Sequence, residues 1–84
     1  MRRNPEIEQA ELNNELLLLN NKSNRFFVMN AAAAVIWEKL AQSVSEQDLV
    51  GELCNRFRGV TPDQALSDVK ETVTSMRELD LILD

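Results

Sequence analysis

The sequence predicts an α+β domain with winged-helix-like parts, in which an N-terminal three-stranded antiparallel sheet packs on a three-helix unit. Three observations predict it. The first thirty residues hold short apolar runs separated by an Asn-rich cluster. Three longer stretches follow, each opened by a capping residue and each carrying apolar residues at helical spacing. Only two Gly and two Pro interrupt the 84 residues, so regular elements take most of the chain. A content of 44% hydrophobic and 27% charged residues belongs to a folded globular domain. The length is that of one domain, residues 1–84.

The elements read as follows. Residues 6–11 alternate weakly between charged and less polar side chains and form the first strand. Glu15-Leu16-Leu17-Leu18-Leu19 is helical by propensity alone. It is short, however, and runs into the turn cluster Asn20-Asn21-Lys22-Ser23-Asn24, so it reads as the second strand. Arg25-Phe26-Phe27-Val28-Met29 is aromatic and β-branched, and closes a hairpin around that cluster.

Asn30 caps the first helix, whose stripe is Ala33, Ile36, Trp37 and Leu40. Ser45 caps the second, with Glu46 and Asp48 favoured by the helix dipole in its first turn. Its stripe is Leu49, Val50, Leu53, Cys54 and Phe57, and Arg58-Gly59 ends it. The third helix has the clearest start: Thr61 caps, Pro62 takes the first helical position, and Gln64 completes a capping box. Leu66, Val69, Val73, Met76 and Leu79 form its stripe, and residues 80–84 are an extended apolar tail packed on the body.

The side chains for catalysis are missing. The chain has no His and no Tyr, and one Cys, so no general base of the usual kind, no paired thiol and no disulfide exist. Cys54 falls on an apolar stripe and reads as a core residue, as does Trp37. The acidic groups Glu6, Glu8 and Glu11, or Asp63 and Asp68, read as solvated faces. No phosphate loop, metal cluster or cofactor motif is present, so the expectation is a non-enzyme without metal or cofactor. The net charge is −5, and from Thr61 onward two cations face six carboxylates, which is the wrong sign for a nucleic-acid surface. The apolar runs 16–19 and 31–37 are too short to cross a bilayer, and no signal peptide is seen, so the expected location is the cytoplasm with no membrane partner.

Three stretches carry a family resemblance. They are Arg25-Phe26-Phe27-Val28-Met29-Asn30, then Ala33-Ala34-Val35-Ile36-Trp37-Glu38-Lys39-Leu40, then an acidic-start helix over residues 44–57 followed by a Thr-Pro-capped helix ending in Leu79-Asp80-Leu81-Ile82. With the N-terminal hairpin, the pattern resembles PqqD-like proteins, the recognition elements of ribosomally synthesised and modified peptides, over nearly the whole chain. The chain departs from the family pattern at Gln42-Ser43 and at Asp80, where Gly is common.

The resemblance implies a non-catalytic domain that holds an unstructured leader peptide as an added strand on the sheet edge beside the third helix, for a radical enzyme, a leader peptidase, a cyclase or another maturase. Lasso-peptide pathways use small free-standing domains of this type. On this implication the candidate peptide-binding residues are Arg25, Phe26, Phe27, Val28 and Met29 on the edge strand, and Asp68, Thr72, Ser75 and Met76 on the third helix. Arg25, Phe27 and Met29 share one strand face and Phe26 and Val28 the other, and one set must face the core. An acidic helix wall suits a peptide with Lys or Arg, while apolar anchors are an equal basis for specificity. Two other readings stand beside this one. One is a winged-helix DNA binder, against which the acidic third helix argues. The other is an adaptor that binds a folded partner through the sheet edge, including as a strand-swapped dimer.

Overall fold

The computed structural model describes residues 1–83. Three strands form an antiparallel meander: β2 (Glu8–Leu12), β3 (Glu15–Asn20) and β4 (Arg25–Met29). A further pair, β1 (Arg2–Arg3) and β5 (Ile82–Leu83), forms a separate two-stranded sheet. Between them lie α1 (Ala31–Lys39), α2 (Glu46–Arg56) and α3 (Pro62–Glu78). The predicted three-stranded sheet and three helices are all present.

The first hairpin turns at Asn13-Asn14, with φ of 53° and 67° and Leu12 opposite Glu15. Two consecutive left-handed residues match the right-handed twist of the flanking strands, and Asn tolerates that backbone better than most residues. The strand expected at residues 6–11 therefore begins and ends slightly later. In the second hairpin Asn20 pairs with Arg25 across residues 21–24. The Asn20 amide accepts from Lys22 N–H at 3.1 Å and donates to the Leu79 carbonyl at 3.0 Å, tying this loop to the end of α3.

All four Leu of β3 are at least half-buried, but on different faces. Leu16 and Leu18 share the helix-facing side with Phe27 and Met29, while Leu17 and Leu19 share the outer side with Val28 and Phe26. Leu18 is fully buried and Met29 is 7% exposed, which identifies the core-facing set.

The helices start where their caps predict. The Asn30 side chain accepts from Ala33 N–H at 2.8 Å. Ser45 with Asp48, and Thr61 with Gln64, form reciprocal capping boxes. Hydrogen bonding from Ser45, its backbone N–H first, holds the Asp48 carboxyl below the usual carboxylate range. Two details differ from expectation. The last helical residue of α2 is Arg56: Phe57 is already extended, and Gly59, at φ 77°, shapes the turn into α3 rather than ending α2. On α3 the core stripe is Ala65, Val69, Val73 and Met76, with Leu66 only half-buried at its margin. One residue is a 100° rotation on a helix, and packing turns the small Ala65 inward in place of the larger Leu66.

The C-terminal tail packs on the body, as expected, but as a strand with a partner. Arg2 lies opposite Leu83 and Arg3 opposite Ile82. Further bonds run from Arg3 N–H to the Leu40 carbonyl at 3.0 Å, Asn4 N–H to Leu81 at 2.9 Å and Val44 N–H to Met1 at 2.9 Å. Arg3 Nε donates to the Trp37 carbonyl at 2.8 Å while its guanidinium sits 4.7 Å above the Trp37 ring. Burial lowers the Arg3 pKa, and the charge of Glu38 opposes that shift. Asp84 of the predicted tail lies outside the described residues. Among the described residues no helix is long and apolar enough to cross a membrane, and no group of three or more His, Cys, Asp or Glu is placed to hold a metal. Cys54 is a free thiol, partly buried against the core.

Candidate functional site

The geometry of the site follows from β4 being an edge. Among the described residues its one strand neighbour is β3. Along the other side, alternate backbone N–H and C=O groups of β4 have no ladder to join, and such an edge is a template for another strand. The chain leaves β4 at Asn30 and enters α1 directly, which sets the β4 edge across from α3.

Between them runs a groove of about 310 Å³. Its strand side is Phe27, its end is Asn30 and Ala32, and its helix wall is Asp68, Glu71, Thr72 and Ser75. Those four α3 residues follow helical spacing and adjoin the buried stripe of Ala65, Val69, Val73 and Met76. The groove continues past Asn30, Ala32 and Asp68, which belong to both spaces, into a second hollow of about 430 Å³. This one is apolar on its far side, where Leu53, Phe57 and Val60 meet Ala31, with Arg58 at its margin. The extended Phe57 backbone, which ends α2 early, places this side chain in the hollow.

The arrangement offers binding contacts: an open strand edge, the Phe27 ring on the strand side, hydroxyl and carboxylate groups on the wall, the Asn30 amide at the end, and an apolar recess. Asp68 and Glu71 have no ion-pair partner among the described residues. Three other carboxylates, Glu6, Glu38 and Glu52, are ion-paired. Arg56 bonds Glu52 at 2.8 Å and Glu38 at 3.2 Å, and Lys39 lies 3.5 Å from Glu52, joining α1 to α2. Glu52 and then Glu38 hold the Arg56 pKa above its ordinary value.

The structure brings together four of the residues named from sequence: Phe27, Asp68, Thr72 and Ser75. It places the others differently. Arg25 is exposed at the loop end of β4, outside the groove lining. Phe26 and Val28, 60% and 45% exposed, point to the outer sheet face, where they border a shallow apolar patch with Leu12, Leu17 and Leu19. Met29 is buried, and Met76 is at 0% exposure inside the core, so both lie beneath the groove and not on its surface. Glu71, Asn30 and Ala32 complete the groove and were not singled out in the sequence. Glu71 carried a readable signal, since it stands three residues from Asp68 and four from Ser75 on one helix face.

The family model for coenzyme PQQ synthesis protein D (PqqD) matches residues 15–82. No protein of curated function matches the sequence directly. Among solved structures, a lasso peptide synthetase B1 complexed with the leader peptide superposes with a TM-score of 0.80 at 29% identity, covering 99% of this chain and 96% of that one. TbiB1 in complex with the TbiA(beta) leader peptide superposes with a TM-score of 0.81 at 18% identity over 100% of both chains, a likeness of fold.

Proposed function

The chain belongs to the family of coenzyme PQQ synthesis protein D, and from that premise we propose that it is a non-catalytic recognition domain for the leader segment of a ribosomally made precursor peptide. The leader adds to the meander as a fourth strand along β4 and is delivered to a maturation enzyme: a radical enzyme, a leader peptidase or a cyclase. Structures of similar fold hold leader peptides, in a lasso peptide synthetase B1 and in TbiB1. The observation that carries the reading is the open β4 edge facing α3 across a groove with an apolar recess at one end. Strand addition gives affinity through main-chain hydrogen bonds and specificity through pockets for alternate side chains. The family pattern and the lack of His and of a second Cys support a domain that holds its peptide without altering it.

The test is a titration of a fluorescently labelled leader from a cognate precursor peptide, followed by anisotropy. Dissociation constants between roughly micromolar and nanomolar are expected. The same protein, incubated with full-length precursor and no enzyme, should leave its mass unchanged. Absence of binding at high micromolar protein, or a mass shift in the precursor, overturns the reading.

A further inference from the structure

The charge of the groove bears on which leader it selects, an inference that rests on the leader-binding reading above. The strand-facing part of the groove carries two carboxylates, Asp68 and Glu71, and no Lys or Arg. Three residues apart on α3, they project from the same face about 4.5 Å apart along the axis. Like most carboxylates among the described residues they have no ion pair; what sets them apart is that they share one groove wall. Nearby cations stand outside this part, Lys70 of α3 included. Arg58 lines the adjoining hollow without an ion pair to Asp68, and Arg25 lies beyond the lining. Both carboxylates are solvent-exposed, so their pull on a charge entering the groove acts at short range and is partly screened by salt.

A strand on β4 directs every second side chain toward the groove, at intervals of about 6.8 Å. One long cationic side chain is enough to meet both carboxylates. The recess of Leu53, Phe57 and Val60 adjoins the groove at Asp68, on the side where the next groove-facing side chain would fall. We propose that this protein selects leaders carrying a Lys or Arg opposite Asp68 and Glu71, with an apolar residue two positions away seated in the recess. Asp68 and Glu71 are then the residues that set charge specificity. A leader with Asp or Glu at that position meets two uncompensated carboxylates and is rejected, and repulsion of this kind sharpens selectivity as much as attraction does.

The experiment is a display selection. A random peptide library long enough to span β4 is selected against the wild-type protein and against the Asp68→Lys, Glu71→Lys double variant. The expected wild-type consensus has Lys or Arg two residues from an apolar position. The double variant should enrich Asp or Glu at the same place. Exchanging the cation for Glu in a selected peptide should weaken wild-type binding roughly tenfold or more. If the double variant does not fold by circular dichroism, Asp68→Asn with Glu71→Gln replaces it and should lose the cation preference. Thr72→Arg separates the possible failures. Selected peptides that are acidic or uncharged at that position, yet lose affinity for Thr72→Arg, overturn the charge inference and leave leader binding standing. No enriched peptide, or peptides indifferent to Thr72→Arg, overturn both.

Discussion

Asp80 shows how one residue records a compromise. It ends α3 with φ of 56°, a left-handed backbone that costs a side chain with a Cβ roughly 1–2 kcal/mol, less for Asp than for most. The position is imposed by hydrogen bonds. Leu81 N–H reaches the Met76 carbonyl at 2.9 Å and Asp80 N–H reaches Arg77 at 3.0 Å, the two bonds of a Schellman motif, and Leu81 is driven into the core beside the last turn. Gly satisfies the same geometry without the steric cost, at the expense of greater freedom in the unfolded chain. The Asn4 side chain donates to the backbone carbonyl of Asp80, at 2.9 Å, a contact that does not depend on the Asp80 side chain. Asp80→Gly should therefore raise stability by about 0.5–1 kcal/mol, and Asp80→Ala should lower it. Urea titration of the three proteins decides the matter. A destabilised Gly variant would mean that the Asp80 carboxylate contributes something beyond its backbone.

At the scale of elements, the sequence was most readable where one residue has one plausible role. Asn30, Ser45 and Thr61 cap the three helices as their side chains predict. It was less readable where two physical preferences compete. β3 and β4 are apolar on both faces, so alternation alone did not say whether Phe26 or Phe27 faces the helices. Burial of Leu18 and Met29 resolves it in favour of Phe27. Met76 was placed on both the core stripe and the groove wall, and the core holds it.

The α3 wall supplies a matched pair of substitutions. Thr72 is half-buried and lines the groove, and Thr74, two residues on, is exposed and turned about 200° away. Thr72→Arg should fold normally and bind leader at least about tenfold more weakly, roughly 1.4 kcal/mol, because a bulky side chain occupies the peptide's space. Thr74→Arg should bind as the parent does. This control is cleaner than a change at Glu38, which would also break the ion pair with Arg56. Equal affinities for the two Thr variants would move the peptide off this groove.

Across the whole molecule, the pairing of β1 with β5 joins opposite ends of the described chain, and no local pattern announces it. Arg2-Arg3 has no strand signature, and partners some eighty residues apart leave no periodicity to read. The result is a clasp over α1. Arg3 joins the Leu40 carbonyl, the Trp37 carbonyl and the Trp37 ring, and Trp37 Nε1 in turn donates to Gln9 at 3.1 Å. None of these residues lines the groove, so the molecule separates what holds it folded from the groove proposed for the peptide. Arg3→Ala tests that separation. It removes a hydrogen bond worth about 0.5–1.5 kcal/mol net and a partly desolvated cation–π contact worth about 0.5–2 kcal/mol. The combined loss of about 1–3.5 kcal/mol is large against the roughly 5–15 kcal/mol that holds a typical domain together. The urea midpoint should fall, while the folded fraction binds leader with unchanged affinity. Saturating leader should then recover stability by mass action, about 2.7 kcal/mol at a hundredfold excess over the dissociation constant. A variant that keeps the parental midpoint would show that the clasp contributes no stability. One that keeps its fold but loses affinity roughly tenfold would show that the clasp and the groove are coupled through α1.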